Sequence, residues 1–391
     1  MWNAIIRYAS LASVLAFAAL AMGVRAAPGE GLPGSRVNTT EAPIQEDARG
    51  LVRLVGPADA QSAAALAVEQ LAALGSRATI TTTDGFLIVS DADQQWTQAR
   101  AALLQRAAHQ FNRFATRLGF QLTPSEEPLV AVLIHDHDRY TRFAKRHDDV
   151  EAGWIAGYYA SLSNRIVFYN DETGPMAEAA QDRLKEYDTL LIQAKSLAAD
   201  ARRDHRVEVA ATLETRAGEL ATRLSTERQR IATVTKVNGQ AKAVHEAVHL
   251  LAFNLGLQAR DRQYPFWLTE GLATNFETEH PNNAFGPDHE FDPRRRDFDA
   301  IKDAGRLLPL EVLVQMLNVP GDDEATADVM YAQSWSLFRY LFRYRKADLA
   351  EFFRDFLREP PGRLGQKRQL ELFQARFGDV DALERTWLKR G

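Results

Sequence analysis

The chain has 391 residues, 46% of them hydrophobic and 25% charged, and a formal charge of −5, the balance of a globular protein able to bury one large core or two modest ones. So weak a charge, with no basic run interleaved with aromatics, argues against a nucleic-acid partner. The complete absence of cysteine excludes disulfides, a lipid-modified cysteine and any thiolate metal site or nucleophile.

Residues 1–26 read as a signal peptide. Arg7 supplies the positive start, an alanine-rich apolar stretch follows from Ala9 to Val24, and Val24 and Ala26 fit the small-residue rule for cleavage before Ala27. A membrane anchor is the alternative, but the stretch is short for a spanning helix. Cleavage would remove Arg7 and Arg25 and no acid, taking the formal charge from −5 to −7. No later segment is long and apolar enough to cross a bilayer, so no stable membrane span is expected after signal removal. The expected location is a bacterial periplasm or the exterior.

Residues 27–50, rich in Gly, Pro, Thr and Glu, read as a disordered leader. An N-terminal α+β lobe is expected over 51–175. Within it, 78–83 and Phe86–Ser90 flank Asp84-Gly85 as a hairpin. A helix over 95–118 keeps Ala101, Leu104, Ala107, Phe111, Phe114 and Leu118 at helical spacing. The unbroken apolar run Leu129–Ile134 predicts a buried strand, and 138–146 another helix. Residues 155–159 and Arg165–Tyr169 bracket Ser161-Leu162-Ser163-Asn164 as a second hairpin.

Composition changes over 176–236, where Ala, Leu, Arg and Glu dominate. Leu184, Tyr187, Leu191, Ala194 and Ala198 form one stripe, and Leu213, Ala217, Leu220, Leu224 and Ile231 another, with a polar patch at 202–206 between them. This predicts an inserted, coiled-coil-like αα-hairpin. An extended dimer is the alternative, and the hairpin is where an oligomer would form; arms of about four heptads favour self-closure. Over 237–391, Asn238-Gly239 reads as a helix start and Gly256 as a stop. Further helices are expected at 265–279, 308–317, 325–344 and 349–357, with the polar, proline-broken stretch 280–296 as a loop.

The chemistry sits at His245-Glu246-Ala247-Val248-His249. Four residues apart on a helix, the two histidines share a face one turn apart and can point at one ion about 2 Å from each nitrogen. Ala243, Val244, Ala247, Val248, Leu250 and Leu251 make this a buried helix, where two histidines and a glutamate are costly unless used. Phe266-Trp267-Leu268-Thr269-Glu270-Gly271-Leu272-Ala273 follows, with twenty residues between His249 and Glu270.

Together these segments resemble those of the gluzincin zinc metallopeptidases, the peptidase-MA-like group that includes the aminopeptidase N family and exported relatives. Gluzincins take their third ligand from a glutamate on the next helix, commonly within W-L-x-E-G-x-A. The resemblance covers 129–170 and 240–345. It implies an α+β, zincin-like two-lobe fold: a small mixed sheet, an active-site helix and a mostly helical C-terminal lobe, with the hairpin as an insertion. It implies Zn2+ on His245, His249 and Glu270, with an open position that marks a catalytic site, and Glu246 as general base in peptide hydrolysis.

In similar enzymes a carboxylate placed as Glu277 is, seven residues on and on the same helical face, hydrogen-bonds the far nitrogen of a ligand histidine. Tyr331-Ala332-Gln333-Ser334 resembles the Y-x-K-G segment in which the aminopeptidase N family carries a catalytic tyrosine, with Gln333 and Ser334 replacing lysine and glycine. Tyr331 is thus the candidate oxyanion donor, and His289 its competitor, because thermolysin-like enzymes use a histidine. An extended peptide substrate is expected along an edge strand at 166–169 or 155–159. Neither stretch carries the G-x-M-E-N loop that grips a free amino terminus, which disfavours an aminopeptidase. A zinc-binding but inactive relative, serving in binding or assembly, is the alternative.

Overall fold

The computed structural model describes residues 63–151, 157–320 and 324–390. The signal peptide and leader read at 1–50 lie outside the described residues.

Helix α1 (Ala63–Leu74), built almost wholly of the helix formers Ala, Leu, Gln and Glu, is not among the expected elements; it precedes the β1 (Thr79–Thr83) and β2 (Phe86–Ser90) hairpin. The turn is the expected Asp84-Gly85, with Gly85 at φ 83 and Thr83 opposite Phe86; glycine takes that left-handed conformation without a Cβ penalty. Helix α2 (Gln94–Leu118) starts at Asp93, whose carboxylate accepts the Gln95 and Trp96 N–H groups. It ends at Gly119 with φ 81, the cap that satisfies the last carbonyls. Strand β3 (Leu129–Ile134) is buried at every position, and α3 (His137–Asp148) follows.

Strands β4 (Gly157–Ala160) and β5 (Arg165–Tyr169) form the second hairpin. Among the described residues the main sheet runs β1-β2-β3-β5-β4, with β2, β3 and β5 parallel and the outer two antiparallel to their neighbours. The sheet is mixed and the chain α+β. Strand β5 is interior, so 166–169 is not a substrate edge; its five buried residues are the pattern of a strand covered on both faces. The free edge on that side belongs to β4.

Side chains alternate between two cores, as a period of two requires. Ile88, Ala131, Leu133, Ile166 and Phe168 face the larger one. Val89, Val130, Val132, Ile134 and Val167 face a smaller one that holds Leu66 and Leu74 of α1 and Tyr140 and Phe143 of α3.

Helices α4 (Pro175–Arg203) and α5 (Val207–Asn254) pair through a reversal at Asp204-His205-Arg206. Their buried positions are nearly all small: Ala198 and Ala201 on α4, Ala210, Ala217 and Leu224 on α5. Arg202 grips Glu214 across the pair with bonds of 2.6 and 2.7 Å. Helix α5 runs 48 residues without a break, so Asn238-Gly239 does not start a helix. Gly239 serves close packing instead: a Cβ there would collide with the Asp171 carboxylate and the Arg100 guanidinium. Gly256, at φ 87, does lie just past the helix end.

The rest is α6 (Phe266–Thr274), α7 (Asp292–Asp303), α8 (Leu310–Leu313), α9 (Glu324–Tyr344), α10 (Lys346–Arg358), α11 (Gln366–Phe377) and α12 (Val380–Arg390). Two-residue strands at Arg262–Gln263 and Gly362–Arg363 pair beside them. The helix expected over 265–279 stops at Thr274, and the one over 308–317 shrinks to four residues. The loop expected over 280–296 is helical from Asp292 on, because Pro293 stands in the first turn of α7, where proline begins a helix and does not break it. One core runs from the sheet through α2 and the end of α5 into α6, α9, α10 and α11, so the sheet and the C-terminal helices share it. No helix among the described residues is long and apolar enough to cross a membrane.

Candidate metal centre

From Ala241 to Ala252 helix α5 is buried almost throughout, and its two histidines project from one face. Their Nε2 atoms stand 3.1 Å apart, with the rings edge to face at 4.8 Å. Glu270, fully buried on α6, completes the group: Oε2 lies 3.0 Å from His245 Nε2 and Oε1 3.3 Å from His249 Nε2. Gly271 brings α6 this close. A Cβ on it would stand 2.6 Å from the Ser334 carbonyl oxygen and 2.9 Å from Phe338 Cβ on α9.

Glu277 reaches the site by another route than helical spacing. Helix α6 has ended at Thr274, and the turn beyond it returns Glu277 so that Oε1 is 3.0 Å from His245 Nδ1. His245 is thereby held at both nitrogens. Glu277 is itself gripped by Arg294, with Nε 2.7 Å from Oε2 and Nη2 2.7 Å from Oε1. Sequence reasoning missed Arg294, which is 9% exposed in the first turn of α7; no local pattern ties it to Glu277.

Electrostatics follow this crowding. Burial works to lower the His245 pKa, but the Glu270 and Glu277 carboxylates override it and hold it well above the usual histidine range. Burial works to raise that of Glu270, but His249 and His245 hold it well below the usual carboxylate range. Burial likewise opposes, and Arg294 and His245 outweigh it, in keeping Glu277 low. Glu246 goes the other way: burial raises it, and the neighbouring imidazoles and the nearby Tyr159 backbone oppose.

That proximity sets the candidate base beside edge strand β4, which is latched to the helix that carries His245 and His249. The Tyr159 ring stacks on Phe253 at 5.6 Å and 11°. Asn164 and Asn254 exchange side-chain amide bonds of 2.8 Å. Arg260 donates to the Ser161 carbonyl at 2.9 Å.

Tyr331, half-buried on α9, stands edge-on to Phe266 at 5.0 Å and beneath the Arg294 guanidinium at 5.8 Å. It is thus connected to His245 through Arg294 and Glu277. The two residues that depart from Y-x-K-G have structural work. Gln333 is buried and bonds both the N–H and the C=O of Leu308, at 2.8 and 2.9 Å, and the Ser334 backbone meets Gly271. His289 is exposed in the loop before α7, its carbonyl held by Arg339 Nη1 at 2.6 Å.

The residues themselves show whether a metal fits. Both Glu270 oxygens are buried beside imidazole nitrogens, yet neither is in a hydrogen bond of good geometry, an expensive arrangement for a carboxylate unless a cation joins it. In a tetrahedral shell with bonds of about 2.0–2.2 Å, neighbouring ligand atoms stand roughly 3.3–3.5 Å apart. The separations here, 3.0 to 3.3 Å, approach that. His245, His249 and Glu270 could hold a metal ion.

The family described as "Protein of unknown function (DUF1570)" matches residues 240–362, about a third of the chain. The match begins just past Gly239 and includes His245, Glu246, His249, Glu270, Glu277, Arg294 and Tyr331, leaving most of the hairpin outside. No curated protein and no solved structure matches the chain.

Proposed function

We propose that the chain is an exported zinc peptidase of the gluzincin kind, with a zincin-like two-lobe fold around the shared core. The observation that carries this is the Glu270 carboxylate, buried between two imidazole Nε2 atoms without a good hydrogen bond. His245, His249 and Glu270 would hold Zn2+; when bound, such an ion supplies Lewis acidity toward water and a substrate carbonyl.

The chain's own residues do the remainder. An extended peptide lies along the free edge of β4, adding a strand by main-chain hydrogen bonds. Glu246, beside that edge at Tyr159, accepts a proton from the attacking water on its carboxylate and returns it to the amide nitrogen as the C–N bond breaks. Its raised pKa suits both halves of the task. Tyr331 is the proposed donor to the oxyanion, from its place against Phe266 and Arg294. Glu277 fixes the tautomer of His245 through Nδ1.

The test is metal content and digestion of an unbiased peptide library by the whole chain and by Glu246→Gln. The expected result is zinc in both proteins and a loss of turnover of about 10²–10⁴ in the variant. Equal turnover by the two would refute the mechanism, and zinc without cleavage of any peptide would favour a binding module.

A further inference from the structure

Arg294 lies on neither of the helices that carry the metal ligands. It sits in the first turn of α7, 9% exposed. A guanidinium is costly to bury unless its donors are used, and here they converge on one carboxylate. Nε meets Glu277 Oε2 and Nη2 meets Glu277 Oε1, both at 2.7 Å. The second of these oxygens is the one 3.0 Å from His245 Nδ1. A carboxylate held by a two-pronged fork can neither rotate about its last bond nor swing to another rotamer. The place of Oε1, and with it the plane of the His245 ring, is therefore set from α7.

We propose that Arg294 is a positioning residue of the metal centre: by gripping both oxygens of Glu277 it orients His245 so that Nε2 faces the ion. The nature of the ion rests on the zinc reading above, whereas the orientation of His245 does not. The same guanidinium covers the Tyr331 ring at 5.8 Å, so one side chain registers α7 and α9 against the ligand helix. Lysine cannot replace it, because a single ammonium holds one oxygen and leaves the other free.

The experiment measures zinc affinity by competition with a chromophoric chelator, and the absorption spectrum of the cobalt-loaded protein. The proteins are the native chain, Arg294→Met, Arg294→Lys, Glu277→Gln and the double variant Arg294→Met/Glu277→Gln. Arg294→Met should weaken zinc binding about ten- to hundredfold and alter the cobalt spectrum. Arg294→Lys should fall between it and the native chain, and the double variant should be no weaker than Glu277→Gln alone, since both act through one contact. A core ion pair without a positioning role would lower the melting temperature only. Arg294→Met with native affinity and native spectrum overturns the proposal; if that variant does not fold, native values in Arg294→Lys do so. If the native chain binds neither metal, the zinc reading fails separately. The claim is then read in metal-free, ¹⁵N-labelled protein from the His245 Nδ1 proton: its loss in the Arg294 variants supports positioning, and its persistence refutes it.

Discussion

Gly271→Ala adds one methyl group where α6 crosses α9. The new carbon would stand 2.6 Å from the Ser334 carbonyl oxygen and 2.9 Å from Phe338 Cβ. Such atoms rest at about 3.5 Å, so the helices must part by roughly 0.9 Å, and the obstructing oxygen is backbone and cannot rotate away. Overpacking of this kind costs about 1–3 kcal/mol, of which alanine's better helix propensity returns about 1. We expect a net loss of about 1 kcal/mol, a fall in melting temperature of roughly 1–2 °C for a chain of this length, and weaker zinc binding because Glu270 is the adjacent residue. Gly218→Ala is the control. It lies mid-helix in α5 with nothing within 4 Å of the added carbon, so it should stabilise by about 1 kcal/mol and raise the melting temperature by roughly 1–2 °C. Differential scanning fluorimetry with and without zinc checks both. A Gly271→Ala protein that melts no lower than native and holds zinc as tightly would refute the packing argument.

The pH dependence of the site has a defined sign. His245 is raised in the fold, so its contribution to metal-free stability is complete below its unfolded pKa of about 6.5 and lost as pH rises through the folded value. Glu270 and Glu277 are depressed, so theirs is present above about 4.3 and lost as pH falls through the folded values. A metal must displace the His245 proton, so the rise in melting temperature on adding zinc should grow from mildly acid to mildly alkaline pH; a constant rise would contradict this. Asp148→Ala should cost about 3–5 kcal/mol, since it strands Arg165, 1% exposed and held by Asp148 at 2.8 Å. Tyr158 and Ser163 donate to the same carboxylate and lose their acceptor with it, so a urea melt shifted by less than about 1 kcal/mol would refute the expectation.

Much of the site was legible because it obeys a helical repeat: His245 and His249 are one turn apart on a buried helix, and Glu270 lies within a second apolar helix. Glu277 was found by its spacing although the helix meant to carry it stops at Thr274; a turn brings it to the same place. Arg294 was illegible, since its partner is 17 residues away and only the path of the intervening chain joins them. Prolines misled where their position within an element decides the outcome: Pro293 in a stretch read as a loop begins α7. Gly239 misled for a related reason. Its lack of a side chain, read as a break, is a fit to Asp171 and Arg100. The sheet was legible strand by strand, but the order β3-β5-β4 is a matter of pairing across distance, and so the edge was left between two candidates.

The unbroken course of α5 has a mechanical consequence. From Val207 to Asn238 it extends roughly 48 Å at 1.5 Å per residue, to where Gly239 packs on Asp171 and Arg100. His245 lies roughly 9 Å beyond that contact, in the stretch of the same helix that the core encloses. The hairpin's outer end and the two histidines thus belong to one rod with no joint between them.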